Sequence, residues 1–408
     1  MENNLFCSFV HTGEVRQFNN NTEPCCKVKR STDWRDKPIS EYRDYLSQEL
    51  NSGNKVKDCV SCWKQEEAGQ KSYRMQGNED LTTKEEREWL MDDPNNKLPL
   101  RQLEIILANI CNFACLMCGP HLSSKWQSKM KSENLFQDDV LYNDYRAHAE
   151  VGIQYNSYTD DDLKNLKVLK LMGGEPFYMK ETTRLLKRID ELGLAENMVF
   201  QTPTNCSVFP SKELTDIILK FRKVHISTSF DGVDELNDFI RYGSDWNTCI
   251  DNLKKWIELS KQHKSYNTEV TYGNSLPAEF LVLTSCTITI LNINKIVEFY
   301  NFFKKLLPSG SIDMYPTSYP SFLSINVLKR KHVMSFIEEL KLAESSNQIR
   351  RELAKMIEVN LEQRVISTVE KIKLSAYVDN IEKMTGKKLI DVNPYMGNII
   401  KDLVGDMR

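Results

Sequence analysis

The chain lacks the features that mark a protein for a membrane, a secretory route or a nucleic-acid polyanion. Its longest apolar-rich stretch, FLVLTSCTITILNI, is too short and too rich in threonine to span a bilayer. The N-terminal MENNLFCSF has neither a basic start nor a sustained apolar segment, so no signal peptide is expected. Net charge is only −3 with acids and bases interspersed, which argues against a broad electrostatic footprint for DNA or RNA. Histidine is scarce, and His11, His148, His225, His263 and His332 show no ligand spacing. No simple repeat or low-complexity tract is present beyond Asn19 to Asn21. Cysteine, in contrast, is plentiful. There are eleven, an odd number, and they cluster in metal-ligand spacings, eight of them in two sets, instead of disulfide pairs, which fits a reducing, cytoplasmic setting.

The densest group is Cys111, Cys115 and Cys118 in LANICNFACLMCGP, directly after the apolar run LEIIL. An iron-sulfur cluster is normally closed by four cysteines. A Cys-x-x-x-Cys-x-x-Cys loop can hold three corners of a four-iron cluster and leave the fourth iron open. The competing readings are buried thiols or a zinc loop, which needs a fourth ligand such as His121. About sixty residues on, LKVLKLMGGEP predicts a strand over 168–172 that ends in Gly173, Gly174, Glu175 and Pro176. Two glycines at a strand end let backbone approach a ligand closely.

Three regions are expected in a chain of 408 residues with 40% hydrophobic content. Residues 1–97 are polar, turn-rich and hold five cysteines. Residues 98–327 alternate strand and helix signals. Strands are predicted over 102–110, 168–172, 198–204, 224–230, 279–291 and 311–317. Between them, apolar stripes at helical spacing recur, among them Leu185, Leu186, Ile189 and Leu192 before Gly193, and Trp246, Ile250, Leu253 and Ile257. Residues 328–408 read as helical and are expected to close or brace the rest.

The cysteine loop after one strand and the GGEP turn after the next resemble the radical S-adenosylmethionine (SAM) superfamily. The resemblance implies an α/β fold, a six-stranded partial (β/α)6 barrel open on one side, with function at the C-terminal strand ends. It implies a SAM-binding [4Fe-4S] cluster on Cys111, Cys115 and Cys118, with Gly173, Gly174, Glu175 and Pro176 at the SAM amino group. Met117 stands where the family often has an aromatic residue. STSFDGVDELNDFIRYG resembles the Ser-x-Asp-Gly stretch of peptide-modifying members, which implies Ser229 near the SAM ribose. Arg241 is a candidate partner for a carboxylate of SAM or substrate, and Asn205 a further candidate for the same pocket. Cys206, Cys249 and Cys286 read as core thiols.

The first-region cysteines resemble a twitch or SPASM auxiliary-cluster module, which usually follows the core and here precedes it. The ligand choice is Cys7, Cys26, Cys59 and Cys62, with Cys25 the alternative to Cys26; zinc fits the same spacing. The module is expected across the barrel mouth. The implied activity is reductive SAM cleavage, then hydrogen abstraction from a peptide or protein side chain, with electrons from a flavodoxin- or ferredoxin-like donor. A nucleotide, sugar or small-metabolite substrate is the alternative, and a non-catalytic iron-sulfur or zinc scaffold the rival of another class.

Overall fold

Alternation of period two builds the strands: in KVHISTS, Val224, Ile226 and Thr228 are buried while the residues between them are half-buried. The computed structural model describes residues 5–18, 22–67, 69, 71–93, 95–137, 139–141, 145, 150, 152–263, 280–307, 311–317, 319–343 and 366–405. Within them lie β1 (Gly13–Arg16), β2 (Thr22–Glu23), β3 (Gln102–Ile106), β4 (Val168–Met172), β5 (Val199–Thr204), β6 (Lys223–Ser229), β7 (Phe280–Ile288) and β8 (Ile312–Pro316). They form one sheet in the order β2-β1-β3-β4-β5-β6-β7-β8. From β3 to β8 every neighbour is parallel and follows in sequence order.

Helices return the chain between these strands, and their apolar stripes explain where they lie. Lys180–Glu191 buries Leu185, Leu186 and Ile189, and stops at Gly193, whose φ of 66° places it in the left-handed region. Trp246–Gln262 buries Trp246, Ile250 and Leu253. Each such side chain taken from water contributes about 1.5–3 kcal/mol. Together with Leu103, Ile105, Leu169, Leu171, Phe200 and Ile226 from the strands they form one continuous core.

The sheet is larger than the six strands expected. β1, from the first region, runs parallel to β3 with Val15 opposite Glu104, and β2 pairs antiparallel outside it. The boundary expected at residue 97 therefore does not separate the first region from the sheet. Four residues with one buried apolar side chain, Val15, are too few for an alternation to be legible in sequence.

The first region packs at the N-terminal strand ends, not at the opposite end as expected. Phe9 and Leu81 cluster with Val168 and Val199, the first residues of β4 and β5. Tyr73 Oη accepts from Gln102 Nε2 (2.8 Å) and Lys170 Nζ (2.6 Å). In the last region the described helices are Arg330–Ala343, Thr368–Thr385, Leu389–Val392 and Pro394–Val404; residues 344–365 lie outside the described residues. Thr368–Thr385 starts from a capping box, in which Ser367 and Glu370 satisfy each other's backbone N–H. Its Tyr377 stacks on Phe136 and donates to the carbonyl of Leu116, so this helix braces the cysteine loop. No described helix is long and apolar enough to cross a membrane.

Candidate functional site

The loop after β3 is held by hydrogen bonds on every side. Ala114 N donates to Tyr242 O and Leu116 N to Ile240 O, both at 2.8 Å. Trp126 Nε1 donates to Cys115 O (2.9 Å), and Ser123 Oγ to Phe113 O. With its own backbone groups occupied, the loop is free to present Cys111, Cys115 and Cys118 on one wall of a cavity of about 350 Å³. Gly173, Gly174, Glu175, Pro203, Thr204, Asn205, Ser229, Arg241 and Tyr319 line the same cavity. Pro176 begins a short 3₁₀ turn, Pro176–Tyr178, behind them.

Both glycines are needed where they stand. Gly173 has φ 72°, and a Cβ there would come within 2.4 Å of Ile106. Gly174 has φ 55°, and its Cβ would lie 2.3 Å from the carbonyl oxygen of Ile110. Glu175 N donates to that same oxygen at 2.9 Å. The turn after β4 is thus pressed directly against the cysteine loop. The Glu175 side chain points away from it and holds the end of β5, accepting from Asn205 N (2.6 Å), Thr204 Oγ1 (2.8 Å) and Phe177 N (3.2 Å). Burial raises its pKa to about 7 against the lowering effect of these donors.

Asn205 places Nδ2 3.0 Å from Asn112 Oδ1 and 4.0 Å from Cys111 Sγ, at the edge of a sulfur contact. Ser229 ends β6 on the cavity wall. Arg241 is not left for a ligand carboxylate: its Nε lies 2.6 Å from Asp231 Oδ2 and its Nη1 3.7 Å from Cys115 Sγ. The first contact brings opposite charges together without hydrogen-bond alignment. Asp231 is fully buried and demands a countercharge, which Arg241 supplies. Asp231 also accepts from Thr287 N at 2.7 Å, tying β7 to the site.

The donor set fits a cluster. Burial pushes the Cys111 thiol up to about 12 and raises Cys115 and Cys118, so the isolated thiols stay protonated. The charge that would deprotonate them must come from bound metal, helped at Cys115 by Arg241. Ligands of one zinc lie about 2.3 Å from it. Among the described residues no group of three or more His, Cys, Asp or Glu side chains is gathered to hold one metal ion.

A second group of thiols lies at the other end of the sheet. Cys7, Cys25, Cys59 and Cys62 line one small apolar cavity with Phe9, Trp63, Tyr73 and Arg74. Burial is the main cause that raises all four, Cys7 to about 11 and Cys59 to about 12, and Cys7, Cys25 and Cys59 are each raised further by a neighbouring thiol of the set. Cys26, the residue preferred from sequence, is exposed and does not line this cavity; its charge environment is Glu104 and Lys170. Cys25, the alternative, does. The turn at Pro24 sends adjacent side chains opposite ways, which spacing alone does not resolve.

Sequence reasoning missed Thr204, Tyr319 and the Asp231–Arg241 pairing. Cys206, Cys249 and Cys286 are buried, as core thiols should be.

No family model matches the sequence, and no curated protein matches it. Among solved structures, the chain is similar to native anSMEcpe with bound AdoMet and Cp18Cys peptide (17% identity, TM-score 0.33), over 60% of this chain and 59% of that one. It is similar to Streptococcus suis SuiB bound to precursor peptide SuiA (14% identity, TM-score 0.35), over 77% and 62%. A third is TYW1 with a lysine-pyruvate adduct bound (12% identity, TM-score 0.29), over 60% and 71%. The chain thus spans less than two thirds of the length of anSMEcpe.

Proposed function

We propose that the chain is a radical SAM enzyme whose parallel sheet is the partial barrel of that superfamily. The observation that carries this reading is the meeting of Cys111, Cys115 and Cys118 with Gly173, Gly174 and Glu175 on one cavity. Three thiolates would hold a [4Fe-4S] cluster with one iron open to the methionyl group of SAM. When bound, that cluster supplies the single electron that splits the SAM sulfonium and releases the 5′-deoxyadenosyl group as a hydrogen-abstracting radical.

The residues of this protein bind, orient and exclude water. The close-packed backbone at Gly173 and Gly174 gives the methionyl end a flat seat beside the cysteine loop. Ser229 offers a hydroxyl to the nucleoside, and Asn205 closes the space above Cys111. Arg241 keeps positive charge beside the Cys115 sulfur and favours the thiolate form. Glu175 fixes the β5 end on which Asn205 stands.

The substrate is a peptide or protein side chain in this reading. Met172, Tyr178, Tyr315 and Tyr319 stand exposed around the C-terminal strand ends, an aromatic rim of the kind that holds polypeptide. Cys7, Cys25, Cys59 and Cys62, which line one cavity, would hold an auxiliary [4Fe-4S] cluster, and that cluster would supply electron acceptance. The protein works in the reducing cytoplasm with a flavodoxin- or ferredoxin-like donor.

The test is anaerobic reconstitution followed by dithionite and SAM. 5′-Deoxyadenosine should form with the wild-type protein and disappear in the Cys111→Ala/Cys115→Ala/Cys118→Ala variant. Cluster transfer without nucleoside release would identify a scaffold and end the enzyme reading.

A further inference from the structure

Around the N-terminal thiols the surface charge is one-sided. Two segments, residues 25–31 and 55–67, pack together there: Lys29 N donates to Asp58 O and Ser31 N to Asp58 Oδ2, both at 3.0 Å. Every acid on these segments is already engaged. Asp58 is buried and also accepts from Tyr42 Oη at 2.7 Å. Glu66 takes Arg74 Nε and Nη2 at 3.0 and 2.9 Å, and Glu67 pairs with Lys55 at 2.8 Å. Arg30 is spent on Glu23. Lys27, Lys29, Lys57 and Lys64 are exposed and form no salt bridge among the described residues.

The elements that carry the thiols also fix where these lysines stand. Lys57–Cys59 is a 3₁₀ turn that runs straight into the helix Val60–Glu67. Lys57, Val60 and Lys64 follow one another by three and four residues, so they share a face. Val60 is exposed on that face, whereas Cys62 and Trp63 turn inward and are buried. Lys27 lines the cavity of Cys7, Cys25, Cys59 and Cys62, and its charge opposes the burial that raises Cys62. Other walls of that cavity face the sheet: Phe9 packs on β4 and β5, and Tyr73 is bonded to Gln102 and Lys170. The lysine face is therefore an outer surface directly over the thiols.

Its size and charge select the kind of visitor. One exposed valine flanked by lysines is small for a lasting complex. Redox partners meet through small, transient interfaces, and complementary charge supplies their encounter rate. A membrane or nucleic acid calls for a broad cationic surface, which a chain of net charge −3 does not offer.

We propose that the face bearing Lys27, Lys29, Lys57, Val60 and Lys64 docks a one-electron carrier protein through an acidic surface around the carrier's redox group. The inference rests on the auxiliary-cluster reading above and gives that cluster its partner. One electron leaves the reduced cluster and reduces the oxidised carrier; no bond forms or breaks.

The probe is ¹⁵N-labelled flavodoxin, an acidic one-electron carrier, titrated by NMR with the full-length reconstituted protein. Wild type should bind it in about 0.01 M salt, where charges act across about 30 Å, and release it in about 1 M salt. Lys27→Glu/Lys57→Glu/Lys64→Glu should weaken binding about tenfold or more. Lys305→Glu/Lys329→Glu/Lys331→Glu makes the same change in net charge at exposed positions elsewhere and should bind as wild type does. In the Cys111→Ala/Cys115→Ala/Cys118→Ala background, flavodoxin should oxidise the dithionite-reduced N-terminal cluster more slowly by a similar factor once the three patch lysines are reversed. Oxidation by uncharged benzoquinone should not change. If a melt shows the reversed variant unfolded, Lys57→Gln/Lys64→Gln carries the test. No binding by wild type, unchanged binding by the patch variant, or equal weakening by both triple lysine variants overturns the proposal. Tighter binding of phosphatidylserine vesicles or of poly(U) RNA than of flavodoxin, lost in the same patch variant, overturns it too. Iron in the same samples is measured separately, so a missing cluster and a missing docking surface are distinct results.

Discussion

Gly174→Ala tests how tightly the two halves of the proposed SAM site are joined. An alanine held at φ 55° costs about 1–2 kcal/mol for the left-handed backbone alone. Its Cβ would also stand 2.3 Å from Ile110 O and 3.0 Å from Ala108 O, both backbone atoms of the cysteine loop. Ordinary C···O contacts begin near 3.3 Å, so one segment must move by about 1 Å, an overpacking cost of about 1–3 kcal/mol. The more restricted unfolded state returns about 0.4–1 kcal/mol. The net loss is about 1–5 kcal/mol. Gly193→Ala is the control: its φ of 66° carries the same backbone penalty, and nothing lies within 4 Å of its Cβ. Urea denaturation of both metal-free variants isolates the crowding, and iron content after reconstitution reads its effect on the loop. Gly174→Ala should be the less stable and should lose iron at the Cys111 site. If the two variants unfold at the same urea concentration and bind iron equally, the turn does not press on the cysteine loop and the reasoning fails.

Three further outcomes follow from the same contacts. Cys25→Ala should remove the N-terminal metal, whereas Cys26→Ala should leave the iron content per molecule unchanged; elemental analysis with Mössbauer spectroscopy decides between them. Glu175 has a folded pKa raised to about 7 from 4.5, so its contribution to stability is fully present below about pH 4.5 and is lost as pH rises through 7. Wild type without metal should therefore lose stability between pH 5 and 7 by more than Glu175→Gln does, as read by urea midpoints; parallel curves would refute it. Arg241→Met strands the buried Asp231 carboxylate and should cost about 3–5 kcal/mol, with the loss reduced in Arg241→Met/Asp231→Asn.

Most of the parallel sheet was legible because its strands and helices announce themselves by period. Val168 to Met172 and Val199 to Thr204 are apolar-rich runs bounded by turn residues, and Leu185, Leu186 and Ile189 mark a helix face. β1 was illegible because its stability comes from pairing with β3 and from Val15 alone. Of the cavity-lining residues, Cys111 to Cys118 stood out by their spacing, and Gly173 to Glu175 by the resemblance of the turn after the next strand to the radical SAM superfamily. Thr204 and Tyr319 were not, since one hydroxyl at a strand end and one exposed tyrosine leave no local signature. Asp231 lies in the Ser-x-Asp-Gly stretch, and only its burial shows that it pairs with Arg241. The choice between Cys25 and Cys26 depends on which way each side chain faces after Pro24, a property of backbone dihedrals instead of composition. The placement of the N-terminal region at the strand N-termini rests on Phe9, Leu81 and Tyr73, apolar and aromatic residues with no periodic context.

The central claim is that one iron at the Cys111, Cys115 and Cys118 loop is left open by the protein and taken by SAM. Electron–nuclear double resonance on the reduced protein, with SAM labelled by ¹⁵N at its amino group, tests it directly. A ¹⁵N coupling to the cluster is expected in wild type and in Cys25→Ala, and is expected to vanish in the triple alanine variant. A reduced cluster at this loop that shows no coupling to bound SAM would contradict the account.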